Sequence, residues 1–156
     1  MKKWLLIGMM ILGGNALCIS QELHPLSFEE LEVQQSLEPR YTLVFLYTDW
    51  CKFCAAMKNT SFKDESVVEL LNKRFYFVPF DGEGKDEVVF MGRNFKYNPT
   101  GTKTGVHQIA EQLGTIDGQL AYPATVLLDP QFQIVFRHNA YLDAEQLLEI
   151  LRAVPD

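Results

Sequence analysis

Apolar positions along the chain change their spacing several times, and each change predicts an element. Ser27, with Glu30 three residues on, makes a capping-box pattern ahead of Leu31, Val33 and Leu37. It predicts a first helix from about Phe28 to Leu37, ended by Pro39. Thr42 to Tyr47 is apolar at nearly every position, the mark of a central strand buried on both faces. Lys52 to Lys58 holds no Gly or Pro and is rich in helix formers, and a second helical stretch from about Glu65 to Lys73 carries Val67, Val68, Leu70 and Leu71. A strand over Phe75 to Phe80 follows, so strand, helix and strand make a parallel unit with a right-handed crossover.

Asp81 to Gly105 is polar and glycine-bearing, with Phe90, Phe95 and Tyr97 set among Arg93, Lys96 and Lys103. It reads as an inserted loop or hairpin. The three aromatics form either a lip over a site or a minor hydrophobic cluster, and the basic residues read as a solvated face. Helix returns from Val106 to Leu113, and Gly114 to Tyr122 connects to Pro123. Ala124 to Leu128 is a strand, Asp129 to Gln131 a turn, and Phe132 to Arg137 its antiparallel partner. Asp143 caps a last helix through Ala153 with Leu147, Leu148 and Leu151 facing inward.

The N-terminus follows a different rule. Lys2 and Lys3 precede an apolar run from Trp4 to Leu12, and small and polar residues follow through Ser20. This is the pattern of a secretory signal peptide over residues 1–20, and the apolar run is too short to span a bilayer stably. Cleavage after Ala16 and after Ser20 both fit, a retained anchor helix is the bland alternative, and Cys18 offers a lipoprotein reading that Asn15 and Leu17 match poorly. Residues 21–156 then form one domain, since single cores hold roughly 100–200 residues. Loss of two lysines and no acids takes the net charge from −6 to −8. An acidic chain of this kind argues against nucleic acid and anionic lipid as partners.

Cysteine usage now points to chemistry. With Cys18 gone, Cys51 and Cys54 are left, and a pair two residues apart closes so small a loop that its entropic stabilisation is slight. The pair stands at a strand-to-helix junction. Unpaired N–H groups at a helix start favour an anion, so Cys51 is the expected nucleophile, with Lys52 adding to the field. Cys54, one turn in, resolves the mixed disulfide. Zinc needs four ligands, and His24, His107 and His138 lie in separate elements; haem attachment needs a histidine where Ala55 stands. Neither metal nor cofactor is expected.

Trp50-Cys51-Lys52-Phe53-Cys54 after a buried strand, with Tyr122-Pro123-Ala124-Thr125 before another, resembles the thioredoxin superfamily over roughly Leu43 to Ala153. Tyr47 to Cys51, with Thr60, Phe62 and Val67 downstream, is most similar to exported, periplasmic thioredoxin-like domains that pass reducing equivalents to other exported proteins. The resemblance implies an α/β fold with a central mixed β-sheet flanked by helices, interrupted by an insertion at about 82–105. It also implies that Pro123 is cis and faces the cysteines, leaving nearby backbone free to pair with an extended substrate beside Trp50, Tyr122 and Pro123. Trp50 also has a plain core reading. Typical thioredoxins bury an aspartate on the strand before the motif, where it helps move the second cysteine's proton. Phe45 holds that place here, with Asp49 in the loop the nearest acid.

The implied function is a periplasmic or secreted protein-disulfide oxidoreductase, exchanging protein thiols and disulfides and fed by an upstream thiol donor. The alternative is a binding module in which the aromatic insertion holds a client and redox activity is secondary. Reductase, oxidase and isomerase all remain open.

Overall fold

The computed structural model describes residues 22–155. The expected signal segment and Cys18 lie outside the described residues. The elements run α1 (Phe28–Leu37), β1 (Tyr41–Tyr47), α2 (Lys52–Asn59), a 3-10 turn (Ser61–Lys63), α3 (Glu65–Arg74) and β2 (Phe75–Asp81). Two short ribbons follow, β3 (Val88–Phe90) with β4 (Arg93–Phe95) and β5 (Tyr97–Pro99) with β6 (Gly105–His107). The chain closes with α4 (Gln108–Gly114), β7 (Ala124–Leu128), β8 (Ile134–His138) and α5 (Ala144–Arg152).

The main sheet has the order β2-β1-β7-β8. β2 is parallel to β1, while β7 and β8 are antiparallel, giving the expected mixed sheet. The two faces sort by the alternation of β1. Leu43 and Phe45 join Cys51, Cys54 and Met57 with residues of α3 and α5. Val44 and Leu46 face the other way, into a cluster with α1, α4 and the insertion. Each fully buried Leu or Phe in these clusters contributes about 1.5–3 kcal/mol.

Local chemistry explains the ends of the helices. At α1 the Ser27 hydroxyl accepts from the Glu30 N–H (3.1 Å), and the Glu30 carboxylate accepts from the Ser27 N–H (2.8 Å). Asp143 and Gln146 repeat the arrangement at α5. The apolar positions of α1 divide, however: Leu31 is buried while Val33 and Leu37 are exposed, because only one stripe of a surface helix meets the sheet.

Several expectations need correction. The insertion is two ribbons rather than one loop or hairpin, and residues 105–107 are strand, so α4 starts at Gln108 instead of Val106. β8 begins at Ile134, because Phe132 sits at φ 61° in the turn and its ring packs edge-on against Phe90 (4.9 Å). In α5, Leu147 and Leu151 are buried but Leu148 only partly, at the margin of the cluster.

Phe90 and Phe95 are buried on the sheet face opposite the sulfurs, Phe90 lying 4.8 Å from the Phe28 ring. They are core, and the lip over the cysteines is not formed by them. His107 ties this insertion down. Its backbone N–H donates to the Gly82 carbonyl (2.8 Å), its Nδ1 accepts from the Ile109 N–H (3.2 Å), and its Nε2–H donates to the Asp86 carbonyl (3.1 Å).

Burial holds the His107 imidazole below its ordinary pKa, against an opposing pull from the Asp86 carbonyl. A depressed folded-state pKa means that the unfolded chain takes up the proton first. The stabilisation from neutral His107 is therefore complete above about pH 6.5 and declines as pH falls through the folded-state value. Urea unfolding at pH 7.5 and pH 5.5 is expected to show lower stability at the lower pH, with the difference shrinking in His107→Gln. An unchanged difference in that variant would remove His107 from the account.

Candidate functional site

β1 delivers the chain to its C-terminal edge at Tyr47, and a turn in which the Cys51 N–H donates to the Thr48 carbonyl (3.2 Å) swings Cys51 into the N-cap of α2. Cys51 has extended backbone, φ −77° and ψ 103°, and its carbonyl accepts the first helical bond from Ala55 (3.1 Å). Its sulfur occupies the place an N-cap hydroxyl or carboxylate oxygen takes elsewhere: Sγ accepts from the Cys54 N–H at 3.1 Å. Cys51 and Cys54 are joined in a disulfide, Cα to Cα 5.2 Å. Both are nearly covered, at 4% and 1% exposure, yet Cys51 alone of the two has a helix N–H aimed at its sulfur. On reduction that donor and the helix dipole act on the Cys51 thiolate.

Around the buried sulfurs stands an exposed aromatic frame. Trp50 is 65% exposed and Phe53 66%, so the core reading of Trp50 is discarded. Trp50 meets Tyr122 edge-on at 6.3 Å, and Phe53 lies 6.3 Å from Tyr141. The Tyr141 hydroxyl is 3.4 Å from the Thr60 hydroxyl, and the Ser61 hydroxyl donates to the Leu142 carbonyl (2.6 Å), which fixes this loop to the end of α2. Phe53 and Tyr141 were missed in the sequence. An aromatic between the two cysteines was a signal for the first; nothing local marked Tyr141, 90 positions downstream of Cys51.

The bond before Pro123 is cis, as the resemblance implied. Tyr122 lies partly buried between the two hydrophobic clusters. Its phenol lies against the Cα of Gly82, where any Cβ would overlap the ring. That close approach requires glycine. Gly82 also donates to the Tyr47 carbonyl (2.8 Å) and accepts from His107, so the insertion and the Tyr122 wall share one anchor. Burial raises the Tyr122 pKa above the usual phenol range, with Glu83 and Asp81 adding to the rise. Its hydroxyl has no hydrogen-bond partner among the described residues.

Behind the sulfurs, Phe45 is fully buried in register with Pro79, edge-on to Phe62 (4.7 Å) and stacked with Tyr47 (6.0 Å). Asp49 is exposed, so among the described residues no buried carboxylate replaces the missing one. A cavity of about 350 Å³ opens here, lined by Phe45, Tyr47, Phe62, Phe77 and Lys58 among others. The Lys58 ammonium sits 3.0 Å from the Tyr47 ring centroid. Burial lowers the Lys58 pKa while Asp49 and Asp81 oppose the drop. Tyr47 is raised by burial, then by Asp81 and Asp49.

His24, His107 and His138 stand in the lead segment, the N-cap of α4 and the end of β8. Among the described residues no group of three or more His, Cys, Asp or Glu could hold a metal ion, and no helix is long and apolar enough to cross a membrane.

Solved structures with the same arrangement include an oxidoreductase named DsbH, with a TM-score of 0.60, 14% identity, and coverage of 99% of this chain and 96% of that one. A thioredoxin from Thermus thermophilus matches with a TM-score of 0.58 at 20% identity, covering 86% of each chain. A putative disulphide-isomerase from Bacteroides thetaiotaomicron matches with a TM-score of 0.56 at 21% identity, covering 86% of this chain and 94% of that one. At these identities the likeness is one of fold. No curated protein matches the sequence. The family model of the thioredoxin-like domain, however, matches residues 28–155, from the first helix past the last. With that match and a Cys-x-x-Cys disulfide at the head of α2, the chain belongs to the thioredoxin-like family and has its oxidoreductase fold.

Proposed function

We propose that this chain is an exported thiol:disulfide oxidoreductase that reduces or exchanges the disulfides of other exported proteins. The observation that carries the reading is the Cys51 sulfur at the N-cap of α2, accepting the Cys54 N–H and bonded to Cys54. In the reduced protein the Cys51 thiolate attacks one sulfur of a substrate disulfide. A mixed disulfide forms and the other substrate sulfur leaves as a thiolate that takes up a proton. The Cys54 thiolate then attacks Cys51 Sγ, closing the intramolecular disulfide and releasing the second substrate thiolate. Two electrons pass to the substrate, and an upstream thiol donor restores the dithiol by the reverse exchange.

Substrate docks across the aromatic frame, with Trp50, Tyr122 and Pro123 on one side and Phe53 and Tyr141 on the other. Apolar side chains flanking the substrate cysteine cover the exposed rings. Export rests on Lys2, Lys3 and the apolar run that follows, and an oxidising compartment such as a bacterial periplasm is where such chemistry is useful.

Cys54→Ala tests the scheme. The variant keeps the nucleophile and loses the resolving thiol, so incubation with a disulfide-bonded protein is expected to accumulate a covalent adduct through Cys51, read by non-reducing electrophoresis and mass spectrometry. No adduct from the variant, under conditions in which the unaltered protein reduces that substrate, overturns the order of attack. A redox titration against glutathione sets the direction of the reaction.

A further inference from the structure

α2 carries Cys54 and, four residues later, Lys58. Side chains at that spacing are neighbours on one helix face. They also lean toward the helix N-terminus, so the Lys58 stem lies over the turn that holds Cys54. The side chain is half-buried, and its ammonium stays against the fold. It rests over the ring of Tyr47, at the end of the strand that leads into the cysteines, within the field of Asp49 and Asp81. The wall behind is apolar: Phe45 occupies the strand position opposite Pro79, and Phe62 and Phe77 complete the floor of the cavity that Lys58 lines. The other charged residues on that cavity are Glu22 of the lead segment and Lys63 of the 3-10 turn.

We propose that Lys58 is a positioning residue for the resolving cysteine, its ammonium favouring the Cys54 thiolate in the reduced protein. The inference rests on the reading of Cys51 and Cys54 as an exchanging pair. The device differs from a buried aspartate, which would accept the thiol proton. Here a cation lowers the cost of the anion in an apolar pocket. The proton that Cys54 gives up ends on the departing substrate thiolate, directly or through solvent, so the exchange balances with Lys58 a cation throughout. Tyr47 on β1, Asp49 in the loop, Asp81 at the end of β2, Glu22 and Lys63 are the ionisable groups arrayed around the ammonium. The two aspartates temper its effect and the aromatic floor spares it from full screening.

The test is a pH titration of Cys54 as the one remaining thiol, in the chain carrying both Cys18→Ser and Cys51→Ser, followed by the ultraviolet absorbance of the thiolate. Adding Lys58→Met or Lys58→Gln is expected to raise the midpoint by about half a unit to one unit, a roughly three- to tenfold loss of thiolate at a fixed pH below it. Lys58→Arg, which keeps the charge, is expected to stay near the Lys58 value. Two neutral replacements guard against one failing to fold. Equal midpoints in the folded neutral variants and the Lys58 chain overturn the proposal, leaving Lys58 as packing for Tyr47, and so does an Arg variant that shifts as far as Met. No substrate enters the titration. Failure of Cys54→Ala to trap an adduct would therefore sink the exchange reading without moving these midpoints, and the converse holds equally.

Discussion

Cys51→Ser is expected to reduce disulfide turnover by at least about a thousandfold, because the group that forms the covalent intermediate is gone and no neighbouring side chain substitutes for it. Among the described residues Cys54 is the other cysteine; it is buried like Cys51 but receives no helix N–H at its sulfur, so it lacks the helix-terminal donor that Cys51 has. A serine hydroxyl at the N-cap still accepts the Cys54 N–H, and the fold should survive the change. Insulin reduction with a dithiol donor measures the loss, with circular dichroism showing that the chain is folded. Activity within a few-fold of the unaltered protein would end the enzymatic reading and move attention to binding by the aromatic frame.

Phe45→Asp is the second large effect, and it falls on stability. The substitution restores the residue type that typical thioredoxins bury at this place, yet here the outcome is expected to be an unfolded or barely folded chain. Phe45 is fully buried and contacts Phe62 and Tyr47 by their rings, so truncating it costs about 3–5 kcal/mol. A carboxylate in the same apolar site adds a desolvation cost of several kcal/mol or must take up a proton. Against a total stability of about 5–15 kcal/mol the sum is ruinous. Phe45→Leu, which keeps most of the apolar volume, should stay folded with a far smaller loss. Urea melts of the two variants decide the matter. A Phe45→Asp protein that unfolds within about 1 kcal/mol of the parent would show that the cavity beside Phe45 hydrates the carboxylate, and would undo the claim that this site penalises a charge.

Much of this was legible along the chain, for a physical reason that differs from element to element. β1 was readable because a strand buried on both faces is apolar at nearly every position, and its five central residues from Thr42 to Leu46 are all buried. α1 and α5 were readable at their starts because capping is a contact between residues three apart. The Cys51 and Cys54 pair was readable because its geometry spans one helical turn. The insertion was not. Its ribbons are three residues a strand, too short for a period to show, and Phe90 packs against Phe28 of α1, a partner more than fifty positions earlier.

Local order in the chain was enough to dictate the cysteine pair at a strand-to-helix junction, the caps, and the alternation that gives the sheet two buried faces, since each depends on residues a few positions apart. Folding alone decided that Phe53 meets Tyr141, that Gly82 makes room for Tyr122, that Phe90 and Phe95 turn away from the sulfurs, and that Lys58 lies over Tyr47. Three of these contacts join segments far apart in the chain. The fourth turns on where one lysine's flexible stem ends, and no pattern of spacing carries that before the sheet and α2 have packed.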